Sequence, residues 1–256
     1  MFTWRHFVWL FICLVMIVLA VMGYDRKKPS LDKVLNTAVA ICIFSEVSKV
    51  ISTVRLVPSA NGELLLPYLP LNHLPLHFCS IQILFICYVR YIAKGKARED
   101  MLAFMYPTCV IGAILALAMP SIFTTSIPVE KAFVSLISYQ FFIFHSMLIA
   151  LGIIIAKSKE VDWSMRHLYR TIGGILLLGF VSIYLNSMFA SPTYVDGQLV
   201  SVDFWTNFFF TYQNPIGIKI TALWQWYAYI LIVIALVFIL VTAFMYPLIR
   251  KNRRQQ

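Results

Sequence analysis

Long runs of apolar residues, separated by short polar segments, recur along the whole chain. Several runs reach ~18 or more residues, the length at which a helix crosses a ~30 Å hydrocarbon layer. Inside that layer only a helix satisfies all of its own backbone hydrogen bonds. The pattern therefore predicts an all-α, polytopic bundle of seven transmembrane helices, at about residues 5–23, 34–54, 76–93, 101–119, 132–156, 167–190 and 223–248.

The composition favours the same class. A hydrophobic content of 61% and a mean hydropathy of +0.81 exceed what one soluble core of 256 residues can bury. The sequence has no evident repeat or linker, so we expect a single transmembrane domain over residues 1–256. The net charge of +10 is spread over short loops, which argues against a nucleic-acid partner because such a partner requires a clustered basic surface.

The lysines and arginines predict the orientation, since short cytoplasmic loops retain positive charge. Of the 21 such residues, 16 follow the first, third, fifth and seventh predicted helices. We therefore expect the N-terminus outside and the C-terminus in the cytoplasm, in the cell membrane. The outer connections at residues 58–75 and 204–215 are apolar and aromatic, which is typical either of a belt at the headgroup level or of a cap over an outward-facing cavity.

Ionisable side chains within the predicted helices are candidates for function, because each costs about 2.5–3.5 kcal/mol on insertion scales. Glu46 and Lys49 are spaced i, i+3 in the second helix and are expected to form an ion pair on one face. The pair either lines a cavity or does no more than neutralise two charges. Asn186, in the sixth helix, is also expected in the outer half of the membrane.

The third predicted helix has the densest chemistry of the chain, with an imidazole, a thiol, a hydroxyl and an amide at His77, Cys79, Ser80 and Gln82. Positions i and i+2 of a regular helix point about 200° apart, so His77 and Cys79 are expected to meet only if the turn after Pro75 is irregular. A base for Cys79 is better sought in His145 of the fifth helix, although a buried histidine is more often a packing residue. All five cysteines lie in apolar runs, so we expect no structural disulfide, and the spacings predict no metal site.

These residues leave three functions open. A thiol with an imidazole base suits acyl transfer through a thioester. Glu46, Lys49 and His145 also suit a transporter or membrane sensor. Alternatively, every polar position serves as interhelical hydrogen bonding in a structural protein.

The segment Pro75-Leu76-His77-Phe78-Cys79-Ser80 resembles the YwaF-type bacterial membrane proteins and the related transmembrane protein 164 acyltransferases. Glu46, Lys49, His145 and the stretch 186–189 support this resemblance. The family usually has a tyrosine after the asparagine, whereas Ser187 stands here. More distantly, the layout is similar to the androgen-induced intramembrane hydrolases.

The resemblance implies that Cys79 takes a fatty acyl group from a phospholipid and passes it to a lysophospholipid, with His145 as its base and no cofactor. An intramembrane lipid hydrolase is the alternative within this chemistry. The remaining residues would bind or orient the substrate, or donate to an oxyanion, namely His77, Ser80, Gln82, Glu46, Lys49 and Asn186.

Overall fold

A computed structural model describes residues 2–59, 61–120, 122–125, 127–215 and 217–254. Within them lie seven helices of ten residues or more: α1 (Trp4–Lys27), α2 (Leu31–Thr53), α3 (Gln82–Tyr91), α4 (Gly95–Ala118), α5 (Leu136–Lys157), α6 (Met165–Met188) and α7 (Leu223–Arg253). Among the described residues, six of these helices, all except α3, are long and apolar enough to cross a membrane. The prediction of a polytopic, all-α membrane protein is confirmed.

The third helix departs from its predicted bounds. It starts at Gln82 rather than at residue 76 and has 10 residues, too few to span a bilayer. Pro70 and Pro75 keep the residues before them out of helical geometry, and residues 76–81 continue in turns up to the start of α3. A short 3-10 turn at Leu71–His73 and further turns occupy the preceding segment instead. Cys79 and Ser80 consequently lie in a turn, and not on a regular helix.

Two antiparallel hairpins were not predicted. Strands β1 (Arg55–Pro58) and β2 (Leu65–Tyr68) pair after α2, and β3 (Ala190–Val195) and β4 (Gln198–Phe204) pair after α6. The second hairpin turns at Asp196 and Gly197, whose φ angles are 49° and 76°. An Asp-Gly pair is favoured where both central residues of a two-residue turn need positive φ.

The chain divides into two compact units. The first comprises Met1–Leu69 and Cys79–Asp162, and therefore holds α1 to α5. Its central helix is α5, which packs against α1, α2 and α4. Gly152 allows α5 to approach α4 closely, because a Cβ at this position would lie 2.9 Å from the Tyr106 carbonyl oxygen. The second unit comprises Pro70–Phe78 and Trp163–Gln256, with α6, α7 and the second hairpin.

An ion-pair network in the first unit joins helix ends that the charge distribution predicts to be cytoplasmic. The Arg98 guanidinium lies 2.8 Å from the Asp32 carboxylate and 2.9 Å from that of Glu160. Next to it, the Glu99 carboxylate accepts a hydrogen bond from the backbone N–H of Asp162 at 2.9 Å. The network ties the start of α2 and of α4 to the segment that follows α5.

Candidate functional site

Cys79 lies in the turn before α3, in the first unit, as a half-buried residue whose thiol forms no disulfide. All five cysteines of the chain are free. The turn thus presents a thiol that is neither capped by a disulfide nor fixed on a regular helix.

Gln82, three residues after Cys79, connects α3 to α4. Its amide nitrogen donates to the Thr108 hydroxyl at 3.1 Å, and its amide oxygen accepts from the Cys109 thiol at 3.3 Å. The Gln82 side chain is fully buried, so these bonds satisfy an amide that would otherwise be costly to bury. The sequence analysis did not predict Thr108 and Cys109 as hydrogen-bond partners. Two adjacent polar residues after Pro107, within an apolar run, could have indicated a polar contact between helices.

His145 lies near the middle of α5, in the same unit as Cys79. Its Nδ1 is 2.7 Å from the Phe141 carbonyl oxygen. Because a carbonyl can only accept, Nδ1 must carry the proton, and in the neutral ring the lone pair is on Nε2. The imidazole is also held between the Phe141 and Phe144 rings, at centroid distances of 4.3 and 5.5 Å.

Cys79 and His145 belong to one unit, but no hydrogen bond joins them within the part of the chain that the structure describes. Catalytic hydrogen bonds are often long in a protein without substrate and tighten in the complex. The pairing of Cys79 with His145 therefore stays a prediction.

The expected ion pair on α2 is present. Lys49 Nζ lies 2.7 Å from a Glu46 carboxylate oxygen, with 11% of the Lys49 side chain and 32% of the Glu46 side chain exposed. The hydroxyl of Ser45, the residue before Glu46, accepts a hydrogen bond from the Gln140 amide of α5 at 2.7 Å. Gln140 was not predicted as a polar partner. It joins the polar stretch of α2 to the helix that carries His145.

An apolar groove of about 270 Å³ lies between α1, α2 and α5 of the first unit. Ala38, Met147 and Ile154 are among the residues that line it. Its lining matches the chemistry of a lipid chain, and its volume is slightly below the ~300–1,000 Å³ of typical ligand pockets.

Asn186, in the second unit, is buried and fully hydrogen-bonded. Its Oδ1 accepts from the Thr206 hydroxyl at 2.9 Å and from the Phe208 N–H at 2.8 Å. Its Nδ2 donates to the Phe208 carbonyl at 3.1 Å and to the Thr211 hydroxyl at 3.0 Å. All four bonds go to the segment between the second hairpin and α7, so the described contacts of Asn186 are internal to the protein.

That segment contains a strained turn, here called the aromatic loop (residues 207–213). Phe209 and Phe210 have φ angles of 55° and 53°, a conformation that bulky side chains rarely adopt. Each such residue costs on the order of 1–3 kcal/mol and persists only when its surroundings hold it. The supporting bonds come from α7, where the Trp226 indole donates to the Thr211 carbonyl and the Tyr229 hydroxyl to the Phe210 carbonyl.

His77 belongs to the second unit, whereas Cys79 and Ser80 belong to the first. Its Nε2–H donates to the Asn72 carbonyl at 2.9 Å, and its ring makes an edge contact with Phe208 at 5.0 Å between centroids. Ser80 lies in the turn that leads into α3, where its carbonyl accepts from the Ile83 N–H at 3.0 Å.

The fold and these polar side chains define a multi-pass helical membrane protein with thiol and imidazole groups in one of its units. The sequence profile of the TMEM164 family matches residues 1–246, and the chain belongs to this family. The predicted relation to transmembrane protein 164 is therefore confirmed, while the narrower grouping with YwaF-type proteins stays a prediction. No curated protein and no solved structure matches the chain.

Proposed function

We propose that this protein is an intramembrane acyltransferase of the cell membrane, which moves a fatty acyl group between a phospholipid and a lysophospholipid through a thioester on Cys79. Family membership supports the proposal. The observation that carries it is the hydrogen bond from His145 Nδ1 to the Phe141 carbonyl. That bond selects the tautomer in which Nε2 is a base, in the same unit as a free thiol.

In the first half-reaction, Cys79 gives its Sγ proton to His145 Nε2, and the sulfur attacks the ester carbonyl carbon of a phospholipid. The bond from that carbon to the glycerol oxygen then breaks, and His145 returns the proton to this oxygen. A lysophospholipid leaves and a thioester remains. The step requires His145 to reach Cys79 once substrate is bound, as catalytic contacts often do.

In the second half-reaction, the hydroxyl of an acceptor lysophospholipid gives its proton to His145 and attacks the thioester carbonyl. The carbon–sulfur bond breaks, and the Cys79 sulfur takes the proton back. Water as the acceptor would make the same site a lipid hydrolase. His77 and Ser80 are the two candidates for a donor to the oxyanion.

The groove between α1, α2 and α5 supports a lipid substrate. Its lining is mostly apolar, and it lies among helices long enough to span a bilayer. A fatty chain that enters it exchanges one hydrocarbon environment for another, so the transfer costs little.

The test is acyl-adduct formation in lipid nanodiscs that contain a phospholipid with an isotopically labelled acyl chain. Intact mass spectrometry should detect a hydroxylamine-sensitive acyl mass on the wild type and none on Cys79→Ala. His145→Ala should form the adduct about 10²–10⁴ times more slowly, the usual contribution of a general base. Cys87→Ala, which removes a cysteine of similar exposure, is the control and should behave as wild type. An adduct of full yield on Cys79→Ala would disprove the proposal.

A transporter or membrane sensor is the second candidate, and it is favoured by the Glu46–Lys49 ion pair within α2. It predicts pH-dependent solute uptake into vesicles that Glu46→Gln impairs and Cys79→Ala leaves intact. The acyltransferase proposal predicts the reverse dependence on these two residues.

A further inference from the structure

The four hydrogen bonds of Asn186 leave its side chain no unused donor or acceptor among those a buried amide normally employs. A residue that contacted the substrate would need at least one of them. Two of the bonds instead fix the backbone of Phe208, since Asn186 accepts from its N–H and donates to its carbonyl. Asn186 therefore fixes the start of the aromatic loop.

The aromatic loop is held from three further directions. The Thr211 hydroxyl, which Asn186 binds, also lies 3.0 Å from that of Ser182. Asn207 crosses the loop, donating to the Gln213 carbonyl at 2.7 Å and accepting from the Gln213 N–H at 3.1 Å. With Trp226 and Tyr229, these bonds maintain a backbone that two adjacent phenylalanines would not adopt by themselves.

The residues fixed in this way contact the segment that precedes Cys79. Phe208 makes its edge contact with His77, and Phe209 makes another with Phe78 at 5.3 Å between centroids. Strained backbone concentrates where geometry matters for function. In this loop the strain places two rings against the two residues that come immediately before the candidate nucleophile.

We infer that Asn186 is a positioning residue of the acyl-transfer site, which acts through Phe208 and Phe209 on His77 and Phe78 and thereby fixes the backbone that leads into Cys79. The inference rests on the proposed function for its catalytic meaning. The contacts that the aromatic loop makes with His77 and Phe78 do not depend on any reaction.

The first readout is the rate at which a small maleimide alkylates Cys79 in nanodiscs, resolved by peptide mass spectrometry, with Cys87 as the internal standard. Asn186→Ala should change the Cys79 rate at least 5-fold relative to Cys87. Ser187→Ala is the matched control, because that exposed neighbour bonds only to the Ile183 carbonyl of its own helix among the described contacts. It should leave both rates unchanged.

The second readout separates positioning from substrate contact. Asn186→Ala should lower kcat for acyl-adduct formation about 10-fold or more and leave KM for the phospholipid within 2-fold. Tyr229→Phe, which removes the described bond to the Phe210 carbonyl, should shift kcat in the same direction by a smaller factor. This milder variant keeps the inference testable if Asn186→Ala does not fold.

The outcomes distinguish the two proposals. If the wild type forms no adduct but Asn186→Ala still changes Cys79 alkylation, the acyltransferase proposal fails and the positioning stands. If the wild type forms the adduct, and both Asn186→Ala and Tyr229→Phe leave the Cys79 alkylation rate unchanged, the positioning is wrong. A rise in KM with kcat unchanged would identify Asn186 as a substrate contact and also overturn the inference.

Discussion

Asn186 and His145 are both buried polar side chains on long apolar helices, but they use their hydrogen-bonding capacity differently. Asn186 employs its oxygen and both amide hydrogens within the protein. His145 uses one ring nitrogen, on a carbonyl of its own helix. A buried polar group that is fully bonded organises the fold, whereas one with remaining capacity is available to a substrate. The contrast separates structural from chemical roles more sharply than burial does.

The largest effect should come from removing the base while keeping its shape. His145→Phe retains an aromatic ring between Phe141 and Phe144, so the free energy of unfolding should change by less than about 1 kcal/mol. The rate of acyl-adduct formation should fall by about 10²–10⁴. Time-resolved intact mass spectrometry measures the rate, and Ser138→Ala on the same helix is the control. A His145→Phe variant with the wild-type rate would exclude His145 as the base.

The opposite pattern is expected for Asn186. Asn186→Ala leaves the partners in Phe208, Thr206 and Thr211 without their amide, and each buried unsatisfied group costs about 1–3 kcal/mol. We expect the free energy of unfolding to fall by about 3 kcal/mol, measured by denaturant titration in detergent micelles. Cys79→Ala provides the comparison and should shift it by less than about 1 kcal/mol. Equal losses in the two variants would contradict the proposed division of roles.

Gln82 should give a smaller loss of stability. In Gln82→Leu the amide contacts between α3 and α4 disappear, while the Thr108 hydroxyl keeps its bond to the Phe104 carbonyl at 2.8 Å. We expect a decrease of about 1 kcal/mol, the typical net value of a hydrogen bond. A loss as large as that of Asn186→Ala would mean that the Gln82 contacts carry more of the fold than their geometry indicates.

The smallest effect is expected at the Glu46–Lys49 pair. Glu46→Gln keeps a side chain of nearly the same shape, whose amide oxygen can still accept a hydrogen bond from Lys49, and i, i+3 pairs contribute no more than about 0.5 kcal/mol on a helix surface. Glu46→Gln should therefore barely change the thermal midpoint or the rate of adduct formation. A marked loss of pH-dependent uptake in vesicles, with the adduct unaffected, would favour the transporter or sensor.

The helices could be predicted because apolar length alone decides which segments span a bilayer. The third helix could not be bounded in this way, since its apolar run includes Pro75 and continues through turns to Gln82. The second hairpin was missed although Asp196 and Gly197 lie between two runs rich in β-branched residues. A search restricted to membrane-length runs overlooks such short elements.

The candidate site could be predicted only in part. Residue types along one helix are readable, so Glu46 and Lys49 were paired correctly from their spacing. Contacts between helices depend on rotation and depth that no single sequence encodes, which is why Gln140, Thr108 and Cys109 were missed. The expectation that Asn186 orients a substrate stays a prediction. Its described partners lie in a loop about twenty residues further along the chain, as the separation of 22 from Phe208 illustrates.

Gly152 has a consequence for how a lipid tail reaches the first unit. A side chain there would collide with the backbone of Tyr106, so at this level the space between α4 and α5 does not admit even a methyl group. Along the most apolar stretch of α1, by contrast, only 11% of the residues are buried in the protein, against 67% for α5. A lipid chain therefore cannot pass between α4 and α5 at the level of Gly152, and would have to reach the groove of the first unit along its other helices.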